Sequence, residues 1–122
     1  MNKVSQNSLK LLALSSMILG LSACFDSDDD PIEPNVAPVA SGATYVTQTE
    51  TDIVDRFLVI DADGDMLSYE TSVEPLLGSV EVRPNGTFTY TPFAELTGAD
   101  SFTYTVSDGE AAPVSATINI TI

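Results

Sequence analysis

From residue 43 onward, apolar and polar side chains alternate along the chain with a period of two. Phe102, Tyr104 and Val106 are separated by Thr and Ser, and the last nine residues repeat the same pattern with Val, Ala and Ile. Strict alternation with many β-branched and aromatic residues is typical of β-strands that bury one face. The pattern therefore predicts a chain of half-buried strands.

Turn-forming residues divide this region into about seven predicted strands, and no helical period is present. The predicted strands cover residues 43–48, 53–60, 66–72, 79–83, 87–91, 101–107 and 114–122. Asn85-Gly86 lies between two alternating segments and predicts a tight hairpin. Short strands with regularly spaced turns favour an all-β fold, a β-sandwich.

Aromatic and apolar residues give expectations about the core. Residues 57–60 are apolar on both faces of their strand, so we expect this strand to be the most buried. Tyr69, Tyr90 and Tyr104 fall on inward positions. Their hydroxyl groups then need hydrogen-bond partners or a path to the surface.

The first 23 residues have the layout of a secretory signal. Lys3 and Lys10 precede an apolar run from residue 11 to 21, which is too short to span a bilayer. The segment Leu21-Ser22-Ala23-Cys24 resembles the lipobox of bacterial lipoproteins. The resemblance implies cleavage before Cys24 and a covalent lipid on that residue. The alternative is an ordinary signal peptide with an incidental cysteine.

Residues 24–42 are predicted to form an extended tether between the lipid and the sandwich. They combine the acidic run Asp26-Ser27-Asp28-Asp29-Asp30 with several prolines, and both features favour extended backbone. The acidic run is either a solvated spacer or a sorting signal. The predicted organisation is a cleaved signal (1–23), a lipidated tether (24–42) and a β-sandwich domain (43–122).

Charge and composition exclude several functions. The full chain has a net charge of −14, and cleavage before Cys24 would remove its only two lysines. Such a chain repels nucleic acid, so no nucleic-acid partner is expected. It has no histidine and one cysteine, so it lacks the usual zinc ligands and nucleophile–histidine pairs. We expect no enzymatic activity. Abundant carboxylates instead suit calcium and magnesium.

Several motifs in order resemble the cadherin-like, Ig-like repeats of bacterial surface proteins and adhesins. These are the stretches Asn35–Ala40, Asp61–Tyr69, Gly78–Val80, Gly86–Pro92 and Gly98–Gly109. The resemblance covers Asn35 to Ile122 and implies a cadherin-like, Ig-like sandwich. It also implies that each end of the sandwich supplies half of an interdomain calcium site. The aspartate that such repeats often have after the Ala-Pro-Val-Ala stretch is missing here.

Three aspartates form the main candidate metal site. Asp61, Asp63 and Asp65 alternate through a glycine-containing loop, and three carboxylates this close repel one another unless a cation or proton intervenes. The spacing does not fit an EF-hand, which needs Gly and Glu where this chain has Met66 and Ser72. The alternative is that the aspartates only form turns.

Strand order in an Ig-like sandwich adds further candidate ligands. The loops after the second and sixth strands lie at the same end as the N-terminus, which we call the N-terminal pole. This places Asp108 and Asn35 near the three aspartates as candidate calcium ligands. Asp100 lies at the opposite pole, where turn formation is favoured and a calcium role is weaker.

The sequence therefore predicts a non-catalytic, lipid-anchored module of the bacterial cell envelope, for adhesion or surface interaction and stabilised by calcium. Its lipid would insert in a membrane, with the outer membrane favoured, and the domain would face the periplasm or the cell surface. The partner is an unidentified protein or glycan. The alternative is a periplasm-facing structural or accessory lipoprotein subunit of an envelope assembly.

Overall fold

The computed structural model describes residues 31–122, which contain nine β-strands and no helix. The predicted signal peptide, Cys24 and the first part of the tether lie outside the described residues. Pro31 to Pro34 is exposed and has no regular structure, and a compact unit extends from Asn35 to Ile122. The strands are β1 (Val39–Ser41), β2 (Ala43–Val46), β3 (Ile53–Arg56), β4 (Leu58–Ile60), β5 (Ser68–Val73), β6 (Gly78–Val82), β7 (Thr87–Pro92), β8 (Ala99–Ser107) and β9 (Val114–Thr121).

The strands form two principal sheets and a small ribbon. The larger sheet has the order β2-β9-β8-β5, and the smaller has the order β3-β7-β6. Strand β9 lies between β2, which is parallel to it, and β8, which is antiparallel. Strands β1 and β4 pair as an antiparallel ribbon. The predicted all-β fold is confirmed, and the last strand is well paired inside it.

The N-terminal strand is split between two partners, which the sequence did not predict. Strand β1 pairs with β4, and after Gly42 strand β2 pairs with β9. A Cβ atom at Gly42 would lie 2.5 Å from the backbone oxygen of Thr117, so no larger residue fits without movement. Strand β1 lies within the range assigned to the tether, so regular structure begins before the predicted boundary at Ala43.

The core between the sheets is aromatic. The Phe57 ring stacks on Tyr104 with centroids 3.8 Å apart and on Phe88 at 4.9 Å, and Phe88 meets Phe102 edge-on at 5.5 Å. Tyr90 and Tyr104 are fully buried, as predicted, while Tyr69 is half-buried and stacks on Phe57. Aromatic pairs of this kind add stability beyond the area that they bury.

The strand predicted to be most buried is instead largely exposed. Phe57 is buried, but Leu58 and Ile60 are 64% and 66% exposed. Residues 53–60 form two strands that are interrupted at Phe57, and the second pairs with β1 in the ribbon. No other described strand covers the outer face of this ribbon, so Leu58 and Ile60 face solvent together with Val39. The prediction was wrong because apolar composition does not reveal which faces are covered.

The predicted hairpin at Asn85-Gly86 is present between β6 and β7. Arg83 donates its backbone N–H to the Thr87 carbonyl oxygen at 2.9 Å, and Gly86 donates to the Arg83 oxygen at 3.0 Å. Gly86 has a φ of 85°, in the left-handed region that glycine adopts without strain. The Asn85 side-chain oxygen accepts from the Thr87 N–H at 3.0 Å, which fixes the turn.

Candidate metal centre

The loop that follows β4 is folded around Asp61. One carboxylate oxygen of Asp61, Oδ1, accepts the backbone N–H groups of Asp63, Gly64 and Asp65 at 2.9, 2.8 and 3.2 Å. Gly64 has a φ of 76°, which allows the chain to turn tightly there. This local folding is what brings the side chains of Asp63 and Asp65 back toward Asp61.

The three carboxylates converge on a small space. One oxygen from each of Asp61, Asp63 and Asp65 lies within 4.8 Å of the others. Two oxygens bound to one calcium ion at about 2.3–2.6 Å can be no more than about 5.2 Å apart. The three oxygens therefore lie within the range that a single calcium ion can bridge.

The second oxygen of Asp61, Oδ2, is buried and has no hydrogen-bond partner among the described residues. A buried carboxylate oxygen without a donor is costly, because its desolvation is not compensated. A cation bound beside Asp61 would provide that compensation. The donor set, all oxygen, also fits calcium chemically.

Desolvation and neighbouring negative charge both act on Asp65. Local desolvation, followed by the negative charges of Asp61, Asp63, Asp108 and Glu110, raises the pKa of Asp65 above its ordinary value. A raised pKa means that the neighbourhood disfavours the ionised carboxylate. A bound cation would reverse this effect.

The N-terminal segment is tied to the same pole. The Val36 backbone N–H donates to Asp63 Oδ2 at 2.7 Å, and the Asn35 side-chain amide donates to Asp108 Oδ2 at 2.8 Å. Asp108 Oδ1 also accepts two backbone N–H groups from the β8–β9 loop. These bonds, the Asn35 amide foremost, lower the pKa of Asp108. The structure thus gathers at one pole all the residues that the sequence placed there.

Asp100 differs from its sequence interpretation as a turn residue with a weaker calcium role. It lies within β8, is 8% exposed, and accepts four hydrogen bonds. The donors are the Leu76 and Leu77 N–H groups at 2.9 Å, the Ser101 N–H at 2.9 Å and the Tyr90 hydroxyl at 2.6 Å. Burial opposes ionisation of Asp100, but these hydrogen bonds outweigh burial and lower its pKa below the ordinary value.

The role of Asp100 is therefore to organise the opposite pole from inside the fold. Both of its oxygens are occupied, and the bonds join the β5–β6 loop to β7 and β8. The sequence signal that could have revealed this role is the inward Tyr90, whose buried hydroxyl requires a partner. The sequence indicates that a partner is needed, but the partner lies ten residues away and becomes evident only in the fold.

One predicted site cannot be placed in this geometry. The lipidation site Cys24 precedes the described residues. Among residues 31–122, no helix is long and apolar enough to cross a membrane.

Comparison with known proteins adds a family and a set of fold relatives. A family model described as "Bacterial Ig domain" matches residues 35–121. This agrees with the predicted resemblance over Asn35–Ile122. No curated protein matches the chain.

The solved structures that resemble this chain share its fold at low identity. The endo-fucoidan hydrolase MfFcnA9 from glycoside hydrolase family 107 is 22% identical with a TM-score of 0.54; the match covers 86% of this chain and 18% of that chain. Human Protocadherin-24 EC1-2 is 18% identical with a TM-score of 0.51, covering 71% of this chain and 44% of that chain. The chain thus spans less than a fifth of the hydrolase and less than half of the protocadherin fragment.

Proposed function

Because the chain belongs to the bacterial Ig domain family through residues 35–121, we propose that it is a non-catalytic surface-interaction module of the bacterial cell envelope. In this proposal a lipid on Cys24 anchors it to a membrane, the outer membrane being favoured. Calcium stabilises its N-terminal pole, and its partner is a protein or glycan outside the anchoring membrane.

The observation that most supports calcium binding is the Asp61 Oδ2 atom. It is buried without a hydrogen-bond partner among the described residues and belongs to a group of converging carboxylates. Calcium would supply positive charge there and remove the repulsion among Asp61, Asp63 and Asp65. Asp63 also holds the Val36 N–H, so a cation at this loop would stiffen the place where the N-terminal segment joins the sandwich. Stiffening at the base of a tether would fix the direction in which an anchored domain points.

The calcium part is tested by isothermal titration of the full-length chain with calcium chloride. We expect a dissociation constant on the order of 0.1–1 mM, as in other extracellular calcium modules. Asp63→Asn should abolish the heat signal. Asp52→Asn, an exposed aspartate in the β2–β3 loop, is the matched control and should leave it intact. Equal signals from both variants would contradict the site.

The anchoring part is tested by labelling growing bacteria with radioactive palmitate. The wild-type chain should become labelled and fractionate with membranes. The Cys24→Ser variant should be unlabelled, because Cys24 is the one cysteine of the sequence and so the one thiol that could carry the lipid. Label that persists in Cys24→Ser would contradict a lipid on that residue.

The surface role is distinguished from its alternative by protease treatment of intact cells. An adhesion or surface-interaction module should be cleaved, and cells that display it should bind to a protein- or glycan-coated surface more than cells that lack it. A protein that is protected in intact cells and cleaved only after lysis would favour the alternative, an accessory subunit that faces the periplasm.

A further inference from the structure

The outer face of the larger sheet is uncharged over most of its area. The outward side chains of β8 between Ser101 and Ser107 are all Ser or Thr, and those of β9 between Ser115 and Thr121 are Ser, Thr or Asn. The register places these two rows side by side, with Thr103 opposite Thr117. We call these two rows the hydroxyl face.

Neighbouring hydroxyl groups on this face form hydrogen bonds with one another and still have unused donor and acceptor sites. Thr103 and Thr117 share a hydrogen bond of 3.2 Å, and Thr105 and Ser115 share one of 2.8 Å. Each hydroxyl has one donor and two acceptor sites, so every pair retains groups that point to solvent. The result is a flat array of exposed donors and acceptors with fixed spacing along and across the strands.

A depression lies at each end of the hydroxyl face. One, of about 360 Å³, is lined among others by Val73, Glu74, Leu76, Ser101 and Asn119. It combines a carboxylate, a hydroxyl and an amide with two exposed apolar side chains. A groove of this volume lies within the range of small-ligand sites.

The second depression has about 190 Å³ and repeats the same chemistry. Glu70 supplies a carboxylate, Thr105 and Ser107 supply hydroxyls, and Tyr69 and Pro113 supply apolar surface. Because β8 contributes Ser101 to the first depression and Thr105 to the second, the two are joined by the hydroxyl face itself. Polar groups able to both donate and accept, set beside apolar carbon, match the surface of a sugar ring.

Charge favours a neutral ligand at this face. The chain has a net charge of −14, so a polyanion is repelled, and a cationic partner is attracted more strongly to the aspartates of the N-terminal pole. The outer face of the smaller sheet is different, because it contains Arg56 and the Glu81–Arg83 ion pair at 3.0 Å. An uncharged molecule is neither repelled by the negative chain nor drawn away from the hydroxyl face to the aspartates of the N-terminal pole.

Size argues against a folded protein as the occupant. Four strands about 4.8 Å apart and about seven residues long at about 3.4 Å each give the whole outer face of the larger sheet roughly 460 Å², of which the hydroxyl face is about half. A stable protein–protein interface buries about 800 Å² on each partner. A second copy of this chain would therefore be held weakly by this face alone, whereas an extended, narrow chain can use its full length.

We propose that the hydroxyl face binds an uncharged polysaccharide, which lies along β8 with a sugar residue in each depression. This names a ligand class for the surface-interaction role proposed above and rests on that role.

The proposal is tested by affinity electrophoresis of the full-length chain in native gels that contain dextran, yeast mannan, hydroxyethylcellulose or alginate. We expect retardation by at least one of the three neutral polysaccharides and none by alginate, which is anionic. Asn119→Val and Thr105→Val each remove a polar group from one depression and place in the strand a β-branched apolar side chain, which strands accommodate well. Each should weaken binding about fivefold, the factor that corresponds to one neutral hydrogen bond.

Thr91→Val is the matched control, because Thr91 is exposed on the smaller sheet and faces away from the hydroxyl face. It should bind like the wild type. No retardation in any neutral gel would overturn the proposal, as would equal weakening by Thr91→Val. Concentration-dependent dimerisation in sedimentation that is lost in Thr105→Val, without polysaccharide binding, would overturn it in favour of a second copy.

The same variants separate this proposal from the surface role itself. If cells that display Thr105→Val and Asn119→Val adhere as well as the wild type, the ligand class is wrong while the surface role stands. If the wild type shows neither adhesion nor polysaccharide binding, both proposals fail.

Discussion

Replacement of Asp100 by Asn tests whether a buried carboxylate organises one pole of the domain. Asp100 accepts four hydrogen bonds with its two oxygens, from Tyr90 and from the backbone of Leu76, Leu77 and Ser101. Asparagine is nearly isosteric but has one acceptor oxygen and an NH2 group. The NH2 group would face the Leu77 N–H and the Tyr90 hydroxyl, which now donate to Oδ2, and at least one donor would lose its acceptor.

The magnitude follows from the number of bonds affected. A hydrogen bond to a charged group contributes about 1.5–3 kcal/mol, and an unsatisfied buried donor costs about 1–3 kcal/mol. We expect Asp100→Asn to lower the free energy of unfolding by about 3–5 kcal/mol. At roughly 4 °C or more per kcal/mol for a domain of this size, the melting temperature should fall by at least about 12 °C.

The assay is equilibrium unfolding in urea together with thermal melting by circular dichroism. Tyr90→Phe removes one donor and leaves three, so it should cost less than Asp100→Asn. Asp52→Asn removes an exposed charge at a site without these bonds and should stay within about 0.5 kcal/mol of the wild type. An Asp100→Asn variant as stable as the wild type, or more stable than Tyr90→Phe, would refute the reasoning.

Acid titration provides a second check on Asp100. Its pKa is lowered in the folded chain, so its contribution is present above the unfolded pKa of about 4 and is lost as the pH falls through the folded value. The wild type should therefore lose stability on acidification below about pH 4. This loss should be smaller in Asp100→Asn, and identical pH profiles would contradict an ionised buried Asp100.

Three further predictions concern other parts of the domain. Desolvation and the nearby Asp55 carboxylate raise the pKa of Tyr45 to about 12, so its contribution to stability should be full below about pH 10 and decline up to about pH 12. Urea unfolding across this range should show a smaller loss of stability with pH for Tyr45→Phe than for the wild type, and equal losses in the two proteins would contradict this. Asp65→Asn should raise the melting temperature measured with chelator, because it relieves the repulsion at its loop, and a decrease would contradict that repulsion. Gly42→Ala should cost more than about 2 kcal/mol in urea unfolding, because its Cβ would meet the Thr117 carbonyl oxygen at 2.5 Å; a neutral effect would show that the crossing from β1 to β2 is not sterically fixed.

Local patterns in the sequence were enough to predict most strands and one pole. Alternation identified β7, β8 and β9, and Asn85-Gly86 identified the β6–β7 hairpin. The grouping of the Asp61 loop with Asp108 and Asn35 followed from strand order, which fixes the end at which each loop lies. These features depend on residues close in sequence or on topology alone.

Features that depend on long-range packing could not be predicted in the same way. Leu58 and Ile60 are exposed because β4 pairs with the short strand β1, and the composition of β4 gives no sign of this. Asp100 is buried because its acceptors meet donors from the separate segment at Leu76 and Leu77. Gly42 was the one local signal of the divided N-terminal strand, since a glycine between two extended segments often marks a close backbone approach.

The most direct test of calcium stabilisation is thermal melting of the full-length chain in about 10 mM calcium and again in chelator. A site with a dissociation constant of about 0.1–1 mM would add about 1.4–2.7 kcal/mol by mass action. The melting temperature should then rise by about 6 °C or more in the wild type and in Asp52→Asn, but not in Asp61→Asn. Equal melting temperatures with calcium and with chelator would contradict the account and would leave the aspartates of the N-terminal pole as turn-forming residues.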